Sequence, residues 1–127
     1  GLIDIDNTEF EWKNYARFSL FNSLIYVKDG QLILDSNVQI SIINSKEIYK
    51  FLQSPKKLRK LIKKIEFNFN YNFDQRTINI NEVRIDDKSS NEKTSKLLKD
   101  IKLKNDDLQN KIYLKNLLNK ALKNHLG

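Results

Sequence analysis

The sequence contains no cysteine, no methionine and only one proline and one histidine. Without cysteine the chain can form no disulfide, no thiol nucleophile and no zinc–thiolate site. Its three glycines stand at positions 1, 30 and 127, so a glycine-rich phosphate-binding loop is excluded. The single histidine, His125, lies close to the carboxyl end, where a helix terminus frays, and we do not expect a catalytic base there.

Acidic residues do not cluster in a way that is typical of a reaction or a metal site. Three pairs stand at predicted strand edges or turns: Asp4 with Asp6, Asp86 with Asp87, and Asp106 with Asp107. A metal site requires several ligands that converge in one cavity, and pairs of this kind are more often solvated caps. We therefore expect no metal, no cofactor and no catalytic residue, and we predict that the protein is not an enzyme.

Long hydrophobic runs are missing as well. The longest uninterrupted apolar stretch extends from Leu24 to Val27, whereas a membrane-spanning helix needs about 20 apolar residues. No signal-peptide pattern is present. The chain begins with Gly1 inside strand-like sequence and has no initiator methionine. We therefore expect residues 1–127 to be a single domain, the C-terminal fragment of a longer protein.

Basic residues outnumber acidic ones, 23 against 16, which gives a formal net charge of +7. A basic surface favours anionic partners such as phospholipid headgroups, lipopolysaccharide or nucleic acid. Lysine, asparagine and isoleucine are all abundant, as an AT-rich genome would encode them, and this bias explains part of the charge equally well. With 39% hydrophobic residues over 127 positions, the chain is expected to form a packed core.

The segment Ile65–Asp86 predicts a β-hairpin. Every second residue from Ile65 to Phe73 is large and apolar, and the residues between them are polar. Because side chains alternate between the two faces of a strand, one face carries a row that we call the aromatic stripe: Phe67, Phe69, Tyr71 and Phe73. After a turn at residues 74–76 the alternation resumes. Its parity slips near Asn81 and Glu82, which predicts a β-bulge.

The remaining elements complete a two-layer domain. Strands are predicted at residues 2–6, 8–13, 18–28 and 31–43, with a two-residue turn at Asp29-Gly30 and a bend or second turn at Ser36-Asn37. Helices are predicted at residues 46–53 with Ser45 as the cap, and at residues 56–64, 92–103 and 107–124. The fold class is therefore α+β, an antiparallel β-meander of about six or seven strands with a helical insertion and two C-terminal helices.

The predicted helix at residues 56–64 is the most basic element of the chain. Leu58, Leu61 and Ile62 form its apolar side, and its cations include Lys56, Lys57, Arg59 and Lys60. It has three interpretations: a solvated helix face, a patch that faces anionic lipid headgroups, or a contact with nucleic acid. Against the third, the chain carries no nucleic-acid signature and no exposed aromatic residues interleaved with these cations.

The aromatic stripe has two interpretations. In the first, the C-terminal helices cover it and it is an ordinary packed core. In the second, the sheet face is only partly covered and offers an apolar groove to acyl chains, where each buried methylene contributes ~0.8 kcal/mol. The alternation of residues along the strand is the same in both cases, so the sequence leaves both interpretations open.

Three segments together resemble the C-terminal region of AsmA-like proteins. They are LIYVKDGQLILD at residues 24–35, SKEIYKFLQSPKKLRK at residues 45–60 and IEFNFNYNFDQRTINI at residues 65–80. The resemblance covers about residues 8–126 and follows one order of elements: strand, Asp-Gly turn, strand, helix and long alternating strand. AsmA-like proteins form long β-sheet grooves that an N-terminal helix anchors in the inner membrane, and they extend through the periplasm.

The resemblance implies a function in phospholipid transport or outer-membrane assembly. Its implied partners are phospholipid or another anionic lipid and other envelope proteins, with a periplasmic location for this domain. The implied apolar contacts are the aromatic stripe, and the implied headgroup contacts are Lys56, Lys57, Arg59 and Lys60. A basic nucleic-acid-binding module and a structural domain that docks a protein partner remain the alternative predictions.

Overall fold

The computed structural model describes residues 2–126 and confirms the α+β class, with an antiparallel sheet of eight strands. The strands are β1 (Leu2–Ile5), β2 (Thr8–Trp12), β3 (Ala16–Lys28), β4 (Gln31–Ile42), β5 (Lys64–Asn72), β6 (Thr77–Ile85), β7 (Lys88–Ser89) and β8 (Ile101–Lys102). The helices are α1 (Ser45–Leu52), α2 (Glu92–Leu97) and α3 (Asp107–Leu126). The sheet exceeds the expected six or seven strands because β7 and β8 are short additions to one edge.

Four long strands, β3 to β6, form the meander at the centre of the sheet. On one side, β1 and β2 both pair with β3, and on the other side β7 and β8 both pair with β6. Short edge strands of this kind occupy backbone groups that would otherwise be free to pair with another chain. The turn between β3 and β4 is the predicted one, since Asp29 and Gly30 have φ values of 53° and 74°, as a two-residue hairpin requires.

The predicted β-bulge is confirmed in β6. Glu66 lies opposite Arg84 and Asn68 lies opposite Asn81, so two residues of β6 face one residue of β5. Glu82 has a φ of 54°, which is the left-handed conformation of a bulge residue. The extra residue returns Val83 to the apolar face, which explains the slip of parity in the sequence.

The predicted bend at Ser36-Asn37 is wrong, because β4 continues without a break from Gln31 to Ile42. The irregularity lies in its neighbour β3, where Asn22 has a φ of 52° and the register shifts between Phe21 and Leu24. This second bulge brings the Ser23 hydroxyl to 2.6 Å from the Ser36 hydroxyl. Ser36 is thus a buried polar residue, and the alternation of side chains along β4 continues through it.

The predicted helix at residues 56–64 is also wrong. Only Lys56–Leu58 form a 3-10 turn, and Leu61 is 73% exposed instead of packed. The backbone N–H groups of Lys63 and Lys64 donate to the carboxylate of Asp86, at 3.0 and 2.8 Å. The chain is therefore already extended as it enters β5, because a carboxylate 22 or 23 residues later satisfies N–H groups that a helix would have used.

Two further helix predictions need correction. The helix predicted at residues 92–103 ends at Leu97, and residues 101 and 102 instead form β8, where Ile101 lies opposite Ile78. In α1 the cap is Asn44 rather than Ser45, since the Asn44 side chain accepts from the N–H of Glu47. Tyr49 of α1 is buried, with only 2% of its surface exposed.

The helices pack on one face of the sheet, which the strand register makes apolar. Two buried clusters hold them there, one of Tyr49, Ile62 and Ile85 and one of Leu98, Ile101 and Leu117. Val83 of β6 packs against both clusters. Asn119 of α3 adds a polar connection, since its side-chain amide donates to the carbonyl of Leu52 at 2.8 Å. The helices are therefore fixed to the sheet at these contacts. Between the contacts, a space remains unfilled between the helices and the sheet.

Candidate functional site

A cavity of about 320 Å³ lies between the apolar face of the sheet and the helices, and we call it the apolar cavity. Its lining from the sheet includes Ala16, Phe18, Ile40, Ile42, Ile65 and Phe67. Its lining from the helices includes Ile48, Phe51, Leu52, Leu118, Ala121 and Leu122. Carbon atoms form nearly all of its surface, so the cavity suits an apolar ligand and offers little to a polar one.

The cavity reaches solvent beside Phe51 and Leu118. Both residues line it, yet they are 42% and 40% exposed. Trp12 also lines the cavity, and its ring packs edge-on against Phe51 with 4.9 Å between the ring centres. Because Trp12 is the only tryptophan of the chain, its fluorescence reports directly on this site.

A few polar side chains line the cavity where α2 begins and α3 ends, among them Ser90, Thr94 and His125. Thr94 is 2% exposed, and its hydroxyl has no hydrogen-bond partner among residues 2–126. Burial lowers the pKa of His125, and the ammonium of Lys88 acts in the same direction, while Asp86 and the backbone at Ile85 oppose the change. This end of the cavity therefore favours the neutral form of the imidazole.

Replacing Thr94 with valine is expected to raise the free energy of unfolding by about 1 kcal/mol, because valine has nearly the same shape and removes a buried hydroxyl without a partner. Chemical denaturation of both proteins measures the difference. Thr77 provides the matched control, since it is also buried but its hydroxyl donates to the Gln75 carbonyl at 3.3 Å. A loss of stability in Thr94→Val equal to that in Thr77→Val would show that the Thr94 hydroxyl is hydrogen-bonded.

A second pocket, of about 390 Å³, adjoins the apolar cavity, and Leu52 lines both. We call it the polar pocket, because its lining includes Gln53, Lys111, Lys115, Asn116 and Asn119. The ammonium groups of Lys115 and Lys111 lie 4.5 and 5.8 Å from the ring centre of Phe51. Sequence reasoning missed this pair, because their spacing of four residues on α3 is equally typical of a solvated helix face.

The apolar face of the sheet also extends beyond the helices. Six of its residues are exposed, and we call them the open apolar face: Ile3, Ile5, Phe10, Val27, Leu32 and Phe73. The strand register places them on the same side as the cavity lining, since Val27 pairs with Leu32 and Phe10 pairs with Phe18. The Phe10 and Phe18 rings stack with 4.9 Å between their centres, so aromatic surface is continuous from the cavity to the open apolar face.

On the opposite face of the sheet, asparagine side chains bond to one another and to Asp35, whereas one carboxylate oxygen of Glu66 is buried without a hydrogen-bond partner among residues 2–126. The Asn68 amide donates to Asp35 at 2.9 Å and to Asn37 at 3.1 Å, and Asn79 donates to Asn70 at 3.2 Å. Asn68 and Asn70 are polar residues that alternate with the aromatic stripe on β5, and their partners lie on the neighbouring strands. They stabilise the pairing of the central strands and leave the apolar side as the candidate site.

The predicted apolar contact residues divide between the two parts of the site. Phe67 lines the apolar cavity, and Phe73 belongs to the open apolar face. Phe69 and Tyr71 lie between them and are half-buried, and the Tyr71 ring packs edge-on against Phe73 at 4.9 Å. One part of the aromatic stripe is therefore covered and another is accessible, and its contact with acyl chains stays a prediction.

The predicted headgroup residues do not line the apolar cavity or the polar pocket. Lys56, Lys57, Arg59 and Lys60 are all exposed. Arg59 donates to the carbonyl of Ser54 at 3.0 Å, and the Lys60 ammonium donates to the carbonyl of Leu126 at 2.8 Å. Arg59 therefore stabilises the turn after α1, and Lys60 stabilises the end of α3. The cations beside Phe51 at the border of the cavity are Lys111 and Lys115.

Comparisons with known proteins add no assignment. A scan against protein-family models gives no match, and searches of curated proteins and of solved structures give none either. Within residues 2–126, no helix is both long and apolar enough to cross a bilayer. In the same part of the chain, no three histidine, aspartate or glutamate side chains are placed to hold a metal ion.

Proposed function

We propose that this domain binds the acyl chain of a lipid in the apolar cavity, without catalysing a reaction. The observation that carries the proposal is a cavity of about 320 Å³ with an almost entirely apolar lining. Protein interiors are close-packed and contain few voids larger than a water molecule. Ligand pockets have volumes of about 300–1,000 Å³, so a cavity of this size and chemistry is typical of a site that takes an alkyl chain.

The hydrophobic effect is sufficient to hold such a chain. Each buried methylene contributes ~0.8 kcal/mol, so about eight of them contribute roughly 6 kcal/mol before the cost of association is subtracted. Because carbon atoms form nearly all of the lining surface, chain length rather than a specific polar contact sets the affinity. Specificity for the rest of the lipid must come from outside the cavity.

We propose further that this is the C-terminal domain of an AsmA-like envelope protein, located in the periplasm, whose full-length chain is anchored in the inner membrane. In that setting the domain contributes apolar sheet surface to phospholipid transport or outer-membrane assembly. The open apolar face supports this proposal, because it continues the cavity lining along the sheet and gives a lipid a path to the cavity. Exposed apolar surface of this extent on one sheet face also favours an apolar partner.

A series of straight-chain alcohols tests the function. Titration with alcohols of increasing length, followed by calorimetry and by the fluorescence of Trp12, is expected to show a dissociation constant that falls about fourfold for each added methylene. The decrease is expected to stop once the chain fills the cavity. Absence of saturable binding, or a decrease that continues without limit as in non-specific adsorption, would contradict the proposal.

A further inference from the structure

The polar pocket differs in chemistry from the apolar cavity that it adjoins, because its apolar residues Leu52, Leu108 and Ile112 are joined by charged and amide side chains. Two lysines and three amide side chains line it, and none of its lining residues is acidic. Among the described residues, neither Lys111 nor Lys115 lies within ion-pair distance of a carboxylate. The pocket therefore carries two positive charges that the fold does not neutralise.

Phe51 places these charges at the border between the two pockets. One part of its ring lines the apolar cavity, and the ammonium of Lys115 lies 4.5 Å from its centre. An ammonium over an aromatic face is held by the ring quadrupole, so the charge has a defined position without an anionic partner. A ligand whose alkyl chain enters beside Phe51 brings its other end within reach of Lys115 and Lys111.

Asn119 holds the wall of the polar pocket and is not free to bind a ligand. Its amide donates to the Leu52 carbonyl at 2.8 Å, and its oxygen accepts from the hydroxyl of Ser54. This pair of bonds joins α3 to the end of α1, the two elements that form the pocket. The groups available to a ligand are therefore the two ammonium groups and the side-chain amides of Gln53 and Asn116, all of which can donate to oxygen atoms of an anion.

The geometry points to an anionic amphiphile as the ligand: its alkyl chain fills the apolar cavity, and its phosphate or carboxylate head lies in the polar pocket against Lys111 and Lys115. This inference rests on the proposed function and specifies its ligand class. It also moves the headgroup contacts from the basic segment at residues 56–60 to the first half of α3. Lysine is well suited to a headgroup contact, because its ammonium binds a phosphate as a point charge.

Monododecyl phosphate and 1-dodecanol are the probes that test the inference, because they share one chain and differ in the charge of the head. The test variant is Lys111→Gln/Lys115→Gln. It is expected to weaken binding of monododecyl phosphate about tenfold, since two partly exposed ion pairs are lost, and to leave binding of 1-dodecanol unchanged. The control Lys120→Gln/Lys123→Gln removes the same charge from exposed positions of α3 outside both pockets and is expected to change neither affinity by more than twofold.

Three other results would overturn the inference, and they are distinguishable from one another. If the wild type binds both probes equally and the test variant behaves like the control variant, the head site is absent while the proposed function stands. If the wild type binds neither probe, the proposed function falls together with the inference. If inorganic phosphate alone binds as tightly as monododecyl phosphate, the lysines form a phosphate site that is independent of the cavity.

Discussion

Replacing Ala121 with tryptophan is expected to weaken lipid binding roughly a hundredfold while the protein remains folded. Ala121 lies on α3 and lines the apolar cavity, so an indole at this position occupies space that we assign to the alkyl chain. Displacing about four methylenes costs roughly 3 kcal/mol of binding free energy, which is roughly a hundredfold in affinity. Titration of the variant with monododecyl phosphate and with 1-dodecanol measures the loss, which is expected to be the same for both.

Thermal and chemical denaturation complete this experiment. Because the indole enters an existing cavity, we expect the free energy of unfolding to be unchanged or higher, whereas overpacking a filled core typically costs about 1–3 kcal/mol. Lys120→Trp is the matched control, since it places the same side chain on the exposed face of α3 beside the cavity position. If the variant stays folded and binds lipid as well as the control does, the cavity is not the binding site. If Ala121→Trp unfolds the protein, the space beside Ala121 is a filled core and has no room for an alkyl chain.

Replacing Tyr49 with alanine is expected to lower the free energy of unfolding by about 4 kcal/mol, the cost typical of deleting a buried aromatic side chain. Tyr49 is 2% exposed and packs with Ile62 and Ile85 in the cluster that holds α1 on the sheet. Its hydroxyl donates to the carbonyl of Lys60 at 2.6 Å, which fixes the irregular segment before β5. Urea denaturation measures the change.

Tyr49→Phe separates the hydrogen bond from the packing. It keeps the ring and is expected to cost about 1 kcal/mol. Burial, with a smaller contribution from the negative charge of Asp86, raises the pKa of Tyr49 from 10.0 to about 12. Between these values the unfolded state loses the phenol proton first, so wild-type stability falls as the pH rises from 10 towards 12. The stability of Tyr49→Phe is expected to fall less steeply over this range, and equal slopes would contradict the burial of the phenol.

The architecture of the sheet could be predicted because its signals are local. Alternation along residues 65–73, the Asp29-Gly30 turn and the slip of parity at Glu82 each involve neighbouring residues and are all confirmed. The break expected at Ser36 was wrong, although the alternation of β4 continues through this residue in the sequence. Leu34, Ser36 and Val38 keep one parity, and the bulge that accommodates the serine lies in the partner strand.

The incorrect helices follow from contacts between distant parts of the chain. The spacing of Leu58, Leu61 and Ile62 is typical of a helix, yet the carboxylate of Asp86 binds the N–H groups of Lys63 and Lys64 and favours an extended chain. Asn79 acts in the same way at the end of α2, since its side chain accepts from the N–H of Asp100 at 2.9 Å. No pattern within either segment carries this information.

The candidate site depends on distant contacts even more strongly. A row of apolar residues such as Phe67 and Phe69 predicts a buried face, but the gap above it depends on where Tyr49, Leu117 and Asn119 fix the helices. The charges beside Phe51, at the border of the apolar cavity, also depend on a distant contact. Six cations in the segment 56–64 formed the most conspicuous signal. The ammonium groups of Lys111 and Lys115 lie over Phe51, which is about 60 residues away in the sequence, so no local pattern marks them.

Nuclear Overhauser effects between a bound alkyl chain and protein methyl groups test the central claim most directly. With non-deuterated monododecyl phosphate and protein labelled at its methyl groups, the account predicts contacts from the alkyl chain to Leu98, Leu118 and Leu122 of the apolar cavity. Leu2 and Leu61, which are exposed and lie outside the cavity, are expected to give none. Contacts distributed over these exposed methyl groups, with no signal from the cavity, would contradict acyl-chain binding in this domain.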